Sequence, residues 1–285
     1  MSNARFIIRH STFSIPPSPP LVMGILNVTP DSFSDGGDYF TRDAAVAHAL
    51  NMIAEGADII DIGGESTRPG AEPTPAEEQM RRAIPVILAI RMRNSDIAIS
   101  IDTRAAAVAR AAVDAGADII NDVSALRDDP DMADVVAASG AAVVLMHRRG
   151  TSRDMQDGGG PHYDDVIAEI TAFLQQRRDF AAGRGIDRSR IILDPGLGFG
   201  KRVEHNLTIL RHLDRLVALE QPVLVGASRK RFLGSVLGVD EPKQRLAGSL
   251  TCAVFAALAG AAILRVHDVR ATVDAVQLCS AVHGE

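Results

Sequence analysis

The phrase Gly56-Ala-Asp-Ile-Ile60 returns as Gly116-Ala-Asp-Ile-Ile120, with looser copies at Gly140-Ala-Ala-Val-Val144 and Gly260-Ala-Ala-Ile-Leu264. Internal repetition of this kind restricts a fold more than any composition does. In each copy an alanine-rich helical stretch ends at a glycine suited to a left-handed cap, the chain turns, and a short apolar run follows as a buried strand. That is the αβ half of a βαβ unit. Further strands are predicted at Val22–Leu26, Ile97–Ile101, Ile191–Leu193 and Val223–Val225. Between the strands lie helical stretches at Asp43–Glu55, Pro75–Arg91, Arg104–Ala115, Asp131–Ala138, Tyr163–Ala182, Glu204–Leu213, Pro242–Ala259 and Asp268–Val282. About eight βα units in one chain of this size predict an α/β fold of the (β/α)8 TIM-barrel class. A doubly wound sheet is the alternative built from the same elements. No linker divides the chain, so a single domain is expected over residues 21–285. Residues 1–20 are expected to form an N-terminal extension capping the barrel, its Pro-rich 15–20 segment leading into the first strand.

Composition narrows the function classes. The 30 Lys plus Arg against 36 Asp plus Glu leave a net charge of -6, with a pI near 5.8. This gives no bulk attraction to nucleic acid or anionic membrane, and neither is expected as a partner. Any anionic ligand has to be held by local basic residues. Trp is absent and there are 2 Tyr and 9 Phe, too few for a base-stacking platform. The two cysteines, Cys252 and Cys279, make neither a disulfide framework nor a zinc site. The N-terminus lacks an apolar signal core, and no stretch approaches roughly 18 uninterrupted apolar residues. A cytoplasmic location is expected.

A barrel enzyme carries its active site at the C-terminal ends of its strands. Polar residues collect there on every predicted strand: Asn27, Asp61, Asp102, Asn121, Met146-His147, Asp194, Ser228-Arg229-Lys230 and Arg265-Val266-His267. Strand ends are polar in any protein because loops begin there. Carboxylates and amides directly after Ile or Leu runs are different, since their burial is costly unless a ligand or partner supplies hydrogen bonds. Asp102, Asn121 and Asp194 offer acceptors and an amide suited to a flat heterocycle with adjacent N–H donors. Arg68, Arg265 and His267, with Asn27, offer donors and a metal ligand suited to a phosphate or diphosphate. Lys230 is placed to bridge the two groups. The expected ligand is a polar ring with an anionic tail. Long polar stretches after the first, second and fifth strands (27–42, 63–74 and 147–162) read as binding loops.

Several motifs fail on inspection. Asp194-Pro-Gly-Leu-Gly-Phe-Gly-Lys201 lacks the GxxxxGK[ST] spacing and has GxGxG where a dinucleotide fingerprint needs GxGxxG. It reads as a glycine-rich turn. Gly226-Ala-Ser-Arg-Lys230 misses the nucleophile elbow because Lys stands where the last Gly belongs, which disfavours a serine hydrolase. Gly158 to Gly160 reads as plain loop flexibility. His10, His48, His205, His212 and His283 read as surface residues.

Two long stretches resemble the signatures of the dihydropteroate synthase family: Met23-Gly-Ile-Leu-Asn-Val-Thr-Pro-Asp-Ser-Phe-Ser-Asp-Gly-Gly37 and Asp61-Ile-Gly-Gly-Glu-Ser-Thr-Arg-Pro-Gly70. The likeness continues through Ser100-Ile-Asp-Thr-Arg104, Ile120-Asn-Asp-Val-Ser124, Met146-His147, Asp194 to Lys201, Ser228-Arg-Lys230 and Arg265-Val-His-Asp-Val269. The family's fold is a (β/α)8 pterin-binding barrel, and most members are homodimers. The resemblance implies condensation of 6-hydroxymethyl-7,8-dihydropterin diphosphate with p-aminobenzoate, giving 7,8-dihydropteroate and pyrophosphate for folate synthesis, with Mg2+ as cofactor. It implies that Asp102, Asn121, Met146, Asp194 and Lys230 hold the pterin, and that Asn27, Thr67, Arg265 and His267 hold the diphosphate. Phe33, Thr67, Arg68, Pro69, Phe199 and Ser228 would surround p-aminobenzoate, the substrate that sulfonamides mimic in this family. Lys230, Arg265, His267, Asp35 and Arg68 would carry the catalysis. Asn27 would ligate the metal, with loop residue Asp35 as a further candidate.

Two alternatives share the fold. Pterin-dependent methyltransferase domains lack the Asn-Val-Thr-Pro-Asp-Ser-Phe-Ser loop and the Ser-Arg-Lys stretch together, and both are present here. A noncatalytic pterin-binding paralogue would depart from the catalytic pattern at a site position, and none departs. Arg229 reads as a salt-bridge residue, and Cys252 and Cys279 as small core hydrophobes. Arg148-Arg149 makes the loop after Met146-His147 more basic than the family pattern.

Overall fold

A computed structural model describes residues 4–28, 38–65, 74–150 and 161–283, with the side chains of residues 38–41 excepted. The barrel strands are β3 (Leu21–Asn27), β4 (Ile59–Gly63), β5 (Ala98–Asp102), β6 (Ile119–Asp122), β7 (Ala142–Met146), β8 (Ile191–Asp194), β9 (Leu224–Val225) and β10 (Ile263–Val266). All pair in parallel, in the order β8-β7-β6-β5-β4-β3-β10-β9. A single parallel bridge, Leu193 to Val223, closes the ring between β8 and β9, helped by Leu193 N–H donating to Pro222 O at 2.9 Å. The sheet is therefore a barrel, and the doubly wound alternative is excluded.

The helices run between strands: α1 (Asp38–Ala54), α2 (Ala76–Arg93), α3 (Ala106–Asp114), α4 (Met132–Ser139), α5 (Val166–Gly183), α6 (Val203–Arg211), α7 (Leu213–Val217), α8 (Arg231–Leu237), α9 (Leu246–Leu258) and α10 (Val269–His283). The repeat is explained by its ends. Gly56, Gly116, Gly140 and Gly260 all adopt positive φ, from 66° to 107°, the backbone that ends a helix before the next strand. The repeated aspartates are register clamps at the strand starts: Asp58 accepts Val22 N–H at 2.8 Å and Asp118 accepts Ile99 N–H at 2.9 Å. Asp118 also takes Arg91 Nη2 at 2.7 Å.

Some sequence-based boundaries shift for visible reasons. The helix expected from Tyr163 starts at Val166, because the Asp165 carboxylate caps the N–H groups of Ile167 and Ala168. The stretch expected as Pro242–Ala259 opens with a 3-10 turn at Pro242–Arg245 before α9. The stretch expected as Glu204–Leu213 breaks at His212, which separates α6 from α7. Neither α7 nor α8 is foreseen by periodicity, each being too short to show it.

The N-terminal residues form an antiparallel hairpin, β1 (Arg5–Ile8) with β2 (Ser11–Ser14), which the sequence reading also does not contain. Its Phe6, Ile8 and Ile15 join Met23, Ile59, Ile119, Val144, Ile192, Leu224 and Ile263 in one buried apolar cluster. These strand residues alternate with a second set, Ile60, Ile62, Ile99, Ile101 and Ile120, that packs in the larger cluster holding helix residues such as Val86, Val108 and Ile170. Because successive side chains of a strand point to opposite faces, the first set fills the barrel's interior and the second its outer layer. The hairpin thus seals the N-terminal end of the interior with Phe6, whose ring stacks on Phe13 at 5.1 Å.

Candidate active site

The same alternation carries polar side chains up the interior. Ile59 is followed on its face by Asp61 and Gly63, and Ala98 by Ser100 and Asp102. Strand pairing sets Asp61 beside Ser100, and Gly63 beside both Asn27 and Asp102, while Asn121 pairs with Asp102 and Met146 with Asp194. Asn27, Gly63, Asp102 and Asn121 are therefore neighbours in register across β3 to β6, with Asp61 and Ser100 one interior position earlier on β4 and β5. Asp61 ends no strand; it lies inside β4 and is fully buried, below the rim where the sequence pattern puts it.

Arg265, on the interior face of β10, joins Asp61 to Asp102. Its Nε donates to Asp61 Oδ2 at 2.6 Å and its Nη2 to Asp102 Oδ2 at 2.8 Å. Asn121 Nδ2 donates to both Asp61 oxygens, at 3.2 and 3.4 Å. The division into a ring-binding carboxylate group and an anion-binding basic group is not a spatial one, because the Arg265 guanidinium is set among the carboxylates. Asp61 is the residue that sequence reasoning underused; its sign was a carboxylate inside an Ile-rich strand.

Electrostatics follow from this crowding. Burial pushes the Asp102 carboxyl up to about 7, with Arg265 opposing and Asp61, Glu65 and Asp122 adding to the rise. Burial also raises Asp194, opposed by the Lys230 charge and by the Gly196 N–H; that N–H reaches Asp194 Oδ1 at 2.7 Å. The Lys230 ammonium is pushed down to about 8 by burial, with Asp194 holding it up. For Arg265 the carboxylates of Asp61 and Asp102 overcome burial and hold the guanidinium charged. The site sets three buried carboxylates against two half-buried cations.

On the other side of the mouth, Ser228 Oγ accepts the His267 N–H at 3.2 Å and lies 3.1 Å from His267 Nδ1. With the hydroxyl accepting from the backbone, its own proton is free for Nδ1, which favours the tautomer carrying hydrogen on Nε2. Ser228, expected on the arylamine side, and His267, expected on the diphosphate side, are thus direct partners. Arg229 pairs with Asp268, Nε to Oδ2 at 3.0 Å, and holds the β9 and β10 loops together.

The glycine-rich stretch after β8 forms the third wall. Gly196, Gly198 and Gly200 take φ of 66°, 81° and 62°. A Cβ on Gly196 would sit 2.0 Å from His147 O, and one on Gly200 2.0 Å from Arg149 O. These glycines serve close backbone contact, and the turn presents half-buried Phe199, whose ring centroid lies 4.8 Å from Lys230 Nζ. Lys230 also donates to Leu197 O. Met146 is buried beside the same turn. His205 is half-buried and meets Tyr163 edge-on at 4.9 Å, unlike the surface residue its helix position suggests. Arg148 pairs with Asp128, and Arg149 with Glu169. Phe33, Asp35, Thr67, Arg68, Pro69 and the glycines 158–160 lie outside the described residues.

A family model described as "Pterin binding enzyme" matches residues 23–267. The dihydropteroate synthase of Escherichia coli K12 is 47% identical over 93% of this chain and 92% of its own length. That of Mycobacterium leprae is 48% identical over 93% and 94%. The chain belongs to the dihydropteroate synthase family. Among solved structures, the Xanthomonas albilineans dihydropteroate synthase with 4-aminobenzoic acid superposes with a TM-score of 0.90 at 49% identity, covering 100% of both chains.

Proposed function

We propose that this chain is a dihydropteroate synthase, condensing 6-hydroxymethyl-7,8-dihydropterin diphosphate with p-aminobenzoate to give 7,8-dihydropteroate and pyrophosphate. The observation that carries the reading is the buried floor of Asp102, Asn121 and Asp194 with Arg265 and Lys230 set into it. Such a floor matches a flat ring with N–H donors along one edge and an anionic substituent. Relatives support it: a second structure of the Xanthomonas albilineans enzyme holds 7,8-dihydropteroate, at 47% identity and a TM-score of 0.87.

In this mechanism Asp102, Asn121 and Asp194 take the pterin edge, Met146 packs against the ring, and Lys230 donates to it. Asn27, Arg265 and His267 receive the diphosphate, with His267 Nε2 as donor. The bond from the methylene carbon to the diphosphate oxygen breaks with its electron pair leaving on pyrophosphate, and the electron-rich reduced ring spreads the positive charge. Fixed donors aimed at the departing anion lower that barrier. The arylamine nitrogen, held near Phe199 and Ser228, then bonds to the methylene and loses its proton. No covalent enzyme intermediate is needed.

For Mg2+ the donor set fits in one way. Asn27 offers a hard amide oxygen, and among the described residues no group of three or more His, Cys, Asp or Glu is placed to hold a metal ion. Asn27 would hold the ion with substrate oxygens supplying most of its shell, and its chemistry there would be neutralisation of the leaving group's charge.

We further propose a homodimer, with a second copy covering the apolar face of exposed Phe255 and Leu258 on α9 and Leu278 and Val282 on α10. A cytoplasmic location fits two free thiols and the finding that no helix among the described residues is long and apolar enough to cross a membrane. The deciding experiment is pyrophosphate release by purified protein with Mg2+ and the dihydropterin diphosphate, with and without p-aminobenzoate, and the product checked by mass. Release that depends on p-aminobenzoate and yields dihydropteroate is expected. Pterin binding without release would instead identify a noncatalytic paralogue.

A further inference from the structure

Lys201 closes the glycine-rich stretch, and no step above uses it. Its ammonium is buried beneath the turn, 3.0 Å from His147 Nδ1, 3.2 Å from His147 O, 2.8 Å from Gly196 O and 3.1 Å from Phe199 O. Three of these partners are backbone carbonyls that accept from Lys201 Nζ, and burial pushes the Lys201 amine well below its ordinary range, with the Asp194 carboxylate opposing. The acceptors belong to two separate pieces of the mouth: the end of β7 and the turn that presents Phe199. Burial and the nearby Lys201 charge push the His147 imidazole down to about 2, so it stays neutral, and its backbone carbonyl accepts from Lys201 at 3.2 Å. Its ring is braced edge-on against Phe173, 4.9 Å away. The Phe199 carbonyl is therefore tied to a rigid strand end, while its ring faces Lys230 on the site side.

We propose that Lys201 is a positioning residue of the arylamine pocket: by clamping the Gly196 and Phe199 carbonyls onto the end of β7, it sets where the Phe199 ring stands against Lys230. The inference rests on the reaction proposed above, in which Phe199 borders p-aminobenzoate. Glycines at 196 and 200 bring the turn into contact with the β7 loop, and the ammonium satisfies the carbonyls that this contact buries. Met146 and Asp194 are held by their own strand pairing, so loss of the clamp acts on the arylamine side first.

The test replaces the ammonium while keeping the chain length, with Lys201→Met, and with Lys201→Gln as a variant that retains N–H donors. A displacement of about 1 Å can cost about 100-fold. Lys201→Met is accordingly expected to raise the KM for p-aminobenzoate by about 10- to 100-fold. Its affinity for the dihydropterin diphosphate, measured by calorimetry without turnover, should stay within about threefold of the parent, and Lys201→Gln should recover part of the KM. A crystal structure of Lys201→Met should show the Gly196–Phe199 turn lifted from His147. An unchanged KM for p-aminobenzoate, equal weakening of both substrates, or an unmoved turn overturns the proposal. Failure of both variants to fold also overturns it, since Lys201 is then only structural. If the parent protein makes no dihydropteroate, the proposed reaction fails separately, and the crystal structure still decides whether Lys201 positions the turn.

Discussion

The two halves of the barrel interior are built by alternate residues of the same strands, yet they behave as opposites. The lower half, with Met23, Ile59, Ile119, Val144, Ile192, Leu224 and Ile263, is one apolar cluster closed by Phe6 of the N-terminal hairpin. The upper half replaces the next interior residues by Asp61, Ser100, Asp102, Asn121 and Asp194, all taken out of water, with half-buried Arg265 set among them. Packing alone satisfies the lower half. In the upper half every group needs a partner, and among the described residues Ser100 Oγ has none. Apolar burial makes the lower half a foundation, and the strained electrostatics of the upper half are what a ligand can relieve.

The sharpest way to break this contrast is Asp61→Ala. It leaves Arg265 with one carboxylate and frees the Asn121 amide, and removing one partner of a buried ion pair typically costs about 3–5 kcal/mol. Activity should fall by more than about 100-fold, because the site loses its preorganised floor. Urea unfolding and steady-state rates measure the two effects, and a stable, active variant would refute the role given to Asp61. Phe6→Ala probes the other half. Loss of that buried ring should cost about 3 kcal/mol, while kcat per folded molecule stays unchanged; a fall in kcat without loss of stability would mean the halves are coupled.

The third test uses pH. With its ammonium pushed down to about 8, Lys230 loses its charge as pH rises through that value, so kcat/KM should decline there. Lys230→Arg, which stays charged, should be less active but lack that limb. Asp102 moves oppositely: its carboxyl rises from 3.8 to about 7, so the folded state keeps a proton that the unfolded chain releases. Its contribution to stability therefore falls as pH climbs through that window, and Asp102→Asn should flatten that slope in urea titrations. The smallest effect belongs to the rim. Arg148→Ala removes one of two arginines that share Asp128; Arg104 stays on that half-buried carboxylate, so the loss should be about 1 kcal/mol. A larger loss would show that the basic loop is tied into the site.

Much of this contrast is legible before folding. The Gly-Ala-Asp-Ile-Ile repeat signals βα units because helix caps and buried strands obey local rules. Asn27, Asp102, Asn121, Asp194, Lys230 and Arg265 stand out because polar residues at the ends of apolar runs violate the pattern that burial requires. The hairpin was not legible: Arg5–Ile8 and Ser11–Ser14 are too short to show a period, and α7 and α8 fail for the same reason. Lys201 looked like the tail of a failed phosphate motif, because nothing local tells that its acceptors come from His147.

Local chemistry therefore decides the element types, their order and the list of polar residues that need an explanation. Tertiary structure alone decides partnership. Closing the ring puts Arg265 against Asp61 and Asp102, on strands far away in sequence, and strand register makes Asn27, Asp102 and Asn121 neighbours around Gly63. Those contacts arise from register and barrel closure, which are sums over every strand pair and are not carried by any single segment of the chain.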